Sequence, residues 1–392
     1  MNIAFVHNAF PAGGAERITI DLIEYFSKSE GKYNIYVLAH KIQSELIEKN
    51  WPYHVNIILL PNFAQSEDLK QAIHEIVKTE HIDIIVFASL HIAGISEIKR
   101  QSNCKIIYAN HGMPLWEKEH IFNSKAEQSR RKTRYRIIWN IFRKYKYGIF
   151  GKAKRLAVKI NRENYDESDA FTVLCKEYKS DMIKYLGLDP HNNRIRVIEN
   201  PEYPVPNINF HKKKQILYVG RLSYFDKRVD RLLDIWKMAE DRLPDWEMLI
   251  VGDGEERNNL EQMASRLNLK RIRFEGQKTD VREYYREASI LCLVSETEGW
   301  PLCLTEAQAN GVIPVAFSCS GGVRQILSPS SQNGFLVKPF NKRQFAETLI
   351  KIAKDIPEEK IMEIRKNAVS KSSEYSIDII GSKWEELFDS LL

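Results

Sequence analysis

Short apolar runs alternate with helical ones along this chain, and the alternation is interrupted once and then restarts. Residues 3–6, 35–39, 55–60, 82–88, 105–109 and 170–174 read as strands. Residues 15–27 read as a helix, with Ile18, Leu22, Tyr25 and Phe26 spaced for one face. Strands that alternate with helices are built into a parallel sheet with helices on both faces. A proline-rich stretch from Asn200 to Asn207 then breaks the pattern, because proline disfavours both helix interiors and central strands. Beyond it, residues 216–219, 248–251, 272–274, 290–294 and 313–316 predict a second parallel sheet. The chain of 392 residues is too long for one ordinary core and suits two. The expectation is an α/β protein of two doubly wound domains, residues 1–200 and 208–376.

Composition narrows the class. A hydrophobic content of 43% with mixed charge indicates a folded soluble protein. The longest apolar stretch, residues 84–95, holds Ser89 and His91 and is too short to span a bilayer. The N-terminal residues read as a strand and not as a signal peptide. The five cysteines, Cys104, Cys175, Cys292, Cys303 and Cys319, form no C-x-x-C pair, and buried free thiols in a reducing cytosol are expected. Charge is uneven. Residues 125–162 carry 14 Lys+Arg against the single acidic Glu127, whereas the whole chain is only +6.

The richest segment for chemistry runs from Ser295 to Gly311. An apolar strand leads into Glu298, a Gly299-Trp300-Pro301 turn follows, and a helix of small residues carries Glu306. A strand, a tight loop and a helix start make a place where backbone N–H groups face an anion. Carboxylates beside it can accept hydrogen bonds from sugar hydroxyls. Together these describe a nucleotide sugar. Gly220-Arg221 follows the strand at 216–219, and Lys227 comes six residues later. A guanidinium fork and an ammonium at the carboxyl end of a sheet suit a diphosphate. Gly13-Gly14 follows the first strand, where glycine lets a backbone approach a ligand closely. Gly252-Asp253-Gly254 reads as a tight strand-to-helix turn. No D-x-D stands in a suitable loop and no His/Cys cluster has ligand spacing, so no metal is expected.

The stretch from Glu298 to Glu306 resembles the E-x7-E motif of retaining glycosyltransferases of the GT-B fold, family 4 in particular, and the bacterial surface-polysaccharide enzymes among them. Gly13-Gly14-Ala15-Glu16-Arg17 is similar to that family's G-G-A-E-R loop. The resemblance covers most of the chain. It implies two Rossmann-like domains facing a cleft, an N-terminal acceptor domain and a C-terminal nucleotide-sugar domain. The last helix, residues 377–392, would return to the N-terminal domain. It implies catalytic roles for His111, Arg221, Lys227 and Glu298. Donor contacts would come from Gly13, Gly14, Gly220, Gly252, Gly254, Gln277, Gly299, Trp300, Leu302, Cys303 and Glu306. Glu306 would accept the ribose hydroxyls, and Arg221 and Lys227 would neutralise the diphosphate. The family often has glycine after the lysine, where this chain has Arg228. The implied activity is metal-independent hexosyl transfer from a nucleotide sugar, most simply a UDP-sugar, to a glycan hydroxyl. That sugar is a substrate, and no cofactor is implied.

The basic segment interleaves Tyr135, Trp139 and Phe142 with Arg130, Arg131, Lys132, Arg134 and Arg136. One reading is a core-packed helix with a solvated cationic face. The other is docking on an anionic membrane or on a lipid-phosphate acceptor, which would make the protein peripheral at the cytoplasmic membrane face. No nucleic-acid module accompanies the charge, so nucleic acid is not an expected partner. Two rival functions remain at this stage, a nucleotide-sugar epimerase of the same fold and a non-catalytic membrane-binding protein.

Overall fold

The structure is a computed structural model, and it describes residues 1–11, 13–29, 31–43, 55–62, 66–119, 121 and 151–392. The chain divides into two units, Met1–Glu199 with Ile380–Leu392, and Asn200–Ile379.

The N-terminal unit is built on a seven-stranded parallel sheet ordered β3-β2-β1-β4-β5-β6-β7. Its strands are β1 (Asn2–Phe10), β2 (Asn34–Ile42), β3 (Asn56–Leu59), β4 (Ile84–Ala88), β5 (Lys105–Ala109), β6 (Ala170–Val173) and β7 (Ile195–Val197). β4 and β6 are buried along their whole length, as expected of parallel strands covered on both faces. The helices include α1 (Gly14–Ser27), α2 (Ser66–Thr79), α3 (Glu97–Gln101), α4 (Lys152–Glu167) and α5 (Lys176–Leu186). α4 is the described end of the basic segment. It buries Ala153, Ala157 and Asn161 while Lys154, Arg155 and Lys159 are exposed. Arg130, Arg131, Lys132, Arg134, Arg136 and Trp139 lie outside the described residues.

The second unit holds a six-stranded parallel sheet ordered β10-β9-β8-β11-β12-β13. Its strands are β8 (Lys213–Val219), β9 (Glu247–Val251), β10 (Ile272–Gly276), β11 (Ala288–Leu293), β12 (Ile313–Phe317) and β13 (Phe335–Val337). They are joined or covered by α6 (Val229–Ala239), α7 (Arg257–Arg266), α8 (Arg282–Glu287), α9 (Leu302–Ala309), α10 (Gly321–Leu327), α11 (Lys342–Ile350) and α12 (Glu358–Ser373). The core includes Ile216, Tyr218, Trp236, Ile250, Ile290, Val315, Phe317 and Phe345.

The last helix, α13 (Ile377–Asp389), begins beside Glu202, whose carbonyl accepts from the Ile377 N–H at 3.0 Å. From Ile380 onward it belongs to the N-terminal unit. There Glu385 accepts from Tyr33 at 2.6 Å and from Tyr25 and Lys32 at 3.1 Å each, and Phe388 packs against Phe26. Two doubly wound sheets with a returning last helix are the GT-B fold. Among the described residues, no helix is long and apolar enough to cross a membrane.

Candidate active site

In an open parallel sheet, ligands bind beyond the carboxyl ends of the strands, at the point where strand order reverses. In the C-terminal unit that reversal lies between β8 and β11, and both are followed by the residues singled out above. Lys227, after β8, donates to Oε1 of Glu298, after β11, at 2.7 Å. The same oxygen accepts from Ser295 Oγ at 2.6 Å. Ser295 is fully buried, so the carboxylate is fixed from beneath. Burial alone would lower the Lys227 pKa, but the adjacent Glu298 outweighs it and holds the ammonium above its ordinary value.

Arg221 stands at the mouth of the same region, two-thirds exposed, and donates to Asp226 at 3.0 Å. Asp226 also accepts from Ser223 Oγ, and its backbone carbonyl accepts from the Glu296 N–H at 2.7 Å. Burial would raise the Asp226 pKa, yet Ser223, Lys227 and Arg221 together hold it below the usual carboxylate value. The loop after β8 is thereby laced to the loop after β11. Arg228 adds to the lacing through Asp230 at 2.9 Å and Glu296 at 3.7 Å. Its backbone is left-handed, φ 49° and ψ 47°, at the start of α6. That conformation explains why glycine suits the position, and the ion pairs of Arg228 offset the strain of a larger residue.

Three glycines permit the loops to meet. A Cβ on Gly252 (φ 136°) would fall 1.9 Å from the Gly220 carbonyl oxygen, and one on Gly254 would fall 2.4 Å from that of Leu222. A Cβ on Gly322 would fall 2.1 Å from the Gly299 carbonyl oxygen, so the start of α10 is pressed against the Gly299-Trp300 turn. Trp300 is buried and packs edge-on against Tyr375, with ring centroids 4.9 Å apart.

α9 follows that turn with Pro301 at its N-cap. Leu302 and Cys303 are its first residues and are half-buried. Burial pushes the Cys303 thiol up, so it is no ready nucleophile. On the same helix Glu306 accepts from Tyr285 Oη at 2.7 Å. Tyr285 is buried, and burial followed by the Glu306 charge drives its pKa well above the ordinary value, so it remains a donor. Gln277 is exposed just beyond β10.

The remaining candidates lie in the N-terminal unit. Gly13 (φ 130°) precedes α1, and a Cβ there would fall 2.2 Å from Glu16 Oε2. Gly14 is the first residue of α1. His111 follows β5, half-buried, with its N–H donating to Ser89 Oγ at 2.8 Å.

Sequence reasoning took Ser295 only as the start of a segment, and it overlooked Tyr285, Asp226 and Gly322. Only Gly322 left a local trace, the run of small residues from Ser318 to Gly322 directly after β12. Among the described residues, no group of His, Cys, Asp and Glu side chains is arranged to hold a metal ion.

Comparison with known proteins bears on this site. The Glycosyl transferases group 1 model matches residues 200–371, and the Glycosyltransferase Family 4 model matches residues 12–201. An uncharacterized glycosyltransferase of Haemophilus influenzae is 36% identical over 196 residues, 49% of this chain and 54% of the relative. The amylovoran biosynthesis glycosyltransferase AmsD of Erwinia amylovora is 31% identical over 183 residues, 45% of this chain and 49% of the relative. A Campylobacter jejuni α-1,4-N-acetyl-D-galactosaminyltransferase, named for a diphospho-undecaprenol-linked glycan, is 27% identical over 232 residues, 58% and 62% of the two chains. The chain thus spans about half of the length of the curated relatives it matches. The structure of HepE from Anabaena in complex with UDP-glucose superposes with a TM-score of 0.74 at 18% identity, over 100% of both chains. That last likeness is one of fold.

Proposed function

The chain belongs to the group 1 glycosyl transferases of family 4, and from that membership we propose that it moves a sugar from a nucleotide-diphosphate donor to a hydroxyl of a glycan. The observation that carries this reading is the Lys227–Glu298 pair, 2.7 Å apart across the strand-order reversal, with Arg221 beside it and the start of α9 after it. It joins a diphosphate-binding charge to a carboxylate suited to sugar hydroxyls. The donor is a UDP-sugar, a reading supported by the bound ligand of HepE. The acceptor is a lipid-linked glycan of a surface polysaccharide, a reading favoured by the Campylobacter relative, which is named for a glycan on diphospho-undecaprenol.

The reaction retains anomeric configuration. The acceptor hydroxyl approaches the anomeric carbon on the face that the diphosphate leaves. The bond from that carbon to the phosphate oxygen breaks as the bond to the acceptor oxygen forms, and the acceptor's proton passes to the departing phosphate. Arg221 and Lys227 stabilise the growing negative charge without a divalent ion. Glu298 orients Lys227 and faces the donor sugar, and Glu306 holds the ribose. His111, Gly13 and Gly14 act from the N-terminal unit, His111 as a hydrogen-bond donor to the sugar. Gly220, Gly252, Gly254, Gln277, Gly299, Trp300, Leu302 and Cys303 line the donor. The cations among residues 125–162 hold the enzyme peripherally at an anionic membrane face.

The test is incubation of the full chain with a panel of UDP-, GDP- and ADP-sugars, with and without diphospho-polyprenyl glycans. Acceptor-dependent nucleotide release and an axial linkage from an axial donor are expected. Conversion of donor alone would reassign the chain as an epimerase, and absence of nucleotide binding would leave only a membrane-binding role.

A further inference from the structure

We propose that Lys212 is a positioning residue for the nucleotide: its ammonium ties together the ends of the two helices that present Tyr285 and Glu306. The inference rests on the reading of Glu306 as the ribose-binding carboxylate.

α8 has six residues and α9 eight. Helices this short gain little from their own hydrogen bonds, and their last carbonyls have no partner within the helix. Lys212 stands just before β8 and supplies those partners. Its Nζ donates to the Tyr285 and Arg286 carbonyls at the end of α8, 3.0 Å each. It also donates to the carbonyl of Asn310, the C-cap of α9, at 2.7 Å. Three acceptors match the three hydrogens of an ammonium. The charge sits where both helix ends carry partial negative charge.

Two of the three residues that Lys212 holds, Tyr285 and Asn310, in turn hold Glu306. Tyr285, gripped at its carbonyl, donates from its hydroxyl to Glu306 Oε2 at 2.7 Å. Asn310, gripped likewise, donates to the Glu306 carbonyl from its backbone N–H at 3.2 Å and from Nδ2 at 2.9 Å. Glu306 is therefore braced at its backbone and at its carboxylate through one half-buried cation.

The brace is sensitive to pH. Burial, then Arg365 on α12 and Arg286 on α8, lower the Lys212 pKa to about 7. Those two cations are themselves paired, Arg365 with Glu358 at 3.6 Å and Arg286 with Glu283 at 3.4 Å. The neighbouring Lys213 is paired with Glu287 at 2.6 Å. Below pH 7 the ammonium serves all three carbonyls. Above it the amine has two hydrogens left, and one carbonyl loses its donor. Nucleotide affinity then falls as pH rises through 7.

The experiment is calorimetric titration of the full chain with UDP at pH 6 and pH 8.5. Lys212→Met is expected to bind UDP about tenfold more weakly than wild type at pH 6, the worth of roughly one net hydrogen bond. Lys212→Arg remains charged, so the wild-type loss of affinity between the two pH values should vanish in it; the titration of UDP itself is common to all the proteins. Combined with Tyr285→Phe, Lys212→Met should cost less than the sum of the two, because both act through Glu306. Wild-type affinity in Lys212→Met, additive effects, or an identical pH profile in Lys212→Arg would each overturn the inference. Should Lys212→Met not fold, the comparison of wild type with Lys212→Arg decides alone. Failure of the wild-type chain to bind UDP, GDP or ADP overturns the donor reading, and this inference with it.

Discussion

Replacing Lys227 by Met removes one charge of a pair that the fold has largely taken out of water. The two atoms are 2.7 Å apart, and the side chains are 24% and 9% exposed. At an effective dielectric constant of about 20, charges at that distance attract by roughly 6 kcal/mol. Desolvation of both ions offsets much of this. Removing one partner of such a pair costs about 3–5 kcal/mol, because the other charge is left uncompensated. The quarter exposure of Lys227 and the Ser295 hydrogen bond to Glu298 favour the lower end, about 3 kcal/mol. For a unit of this size that lowers the melting temperature by roughly 6–12 °C. The assay is urea unfolding of wild type, Lys227→Met, Glu298→Gln and the double variant. The double variant should recover most of the loss, since no unpaired charge remains. Sugar transfer should not recover, because the cation that stabilises the departing diphosphate is missing in both. Strictly additive unfolding energies, within about 0.5 kcal/mol, would refute the pairing argument. Wild-type turnover in Lys227→Met would refute its part in the chemistry.

Glu306→Ala should weaken donor binding tenfold to a hundredfold, given about 1.5–3 kcal/mol for hydrogen bonds to a charged acceptor, as read by UDP titration. Arg221→Ala should depress kcat more than it raises KM, because its charge matters most as the diphosphate departs; steady-state kinetics with a UDP-sugar will check this. Activity should survive EDTA, and complete loss with rescue by manganese would show that a metal carries the leaving group. Vesicles containing anionic lipid should co-sediment the protein at low salt and release it at high salt, since each cation near the surface contributes about 1 kcal/mol within a screening length of about 8 Å. Changing Arg130, Arg131, Lys132, Arg134 and Arg136 to Gln should weaken that association without altering UDP affinity.

Local sequence was enough for the fold class. The apolar runs predicted at 105–109 and 313–316 are β5 (Lys105–Ala109) and β12 (Ile313–Phe317), because a strand buried on both faces leaves an uninterrupted apolar signature. The helix predicted at 15–27 is α1 (Gly14–Ser27), because its buried face repeats at the helical period. β7 (Ile195–Val197) and β13 (Phe335–Val337) were not legible. Each has three residues and lies at a sheet edge, so pairing with a neighbour, and not periodicity, makes it a strand.

The chemistry divides in the same way. Glu298, Glu306, Arg221 and Lys227 can be singled out in the sequence because each stands at a fixed offset from a strand end, and strand ends are local features. Which of them touch is not local. Lys227 and Glu298 are 71 residues apart in the chain and meet only because β8 and β11 are neighbours across the strand-order reversal. Tyr285 carries no motif and looks like one more aromatic of an amphipathic helix, yet packing delivers its hydroxyl to Glu306. Lys212 reads as one lysine in the run His211-Lys212-Lys213-Lys214, and only its burial against two helix ends distinguishes it from its solvated neighbours. Sequence thus determined the sheets and the chemical types at their carboxyl ends, because apolar periodicity and turn residues act over a few positions. The tertiary structure alone decided the partners, because hydrogen bonds and ion pairs depend on distances that chain spacing does not specify.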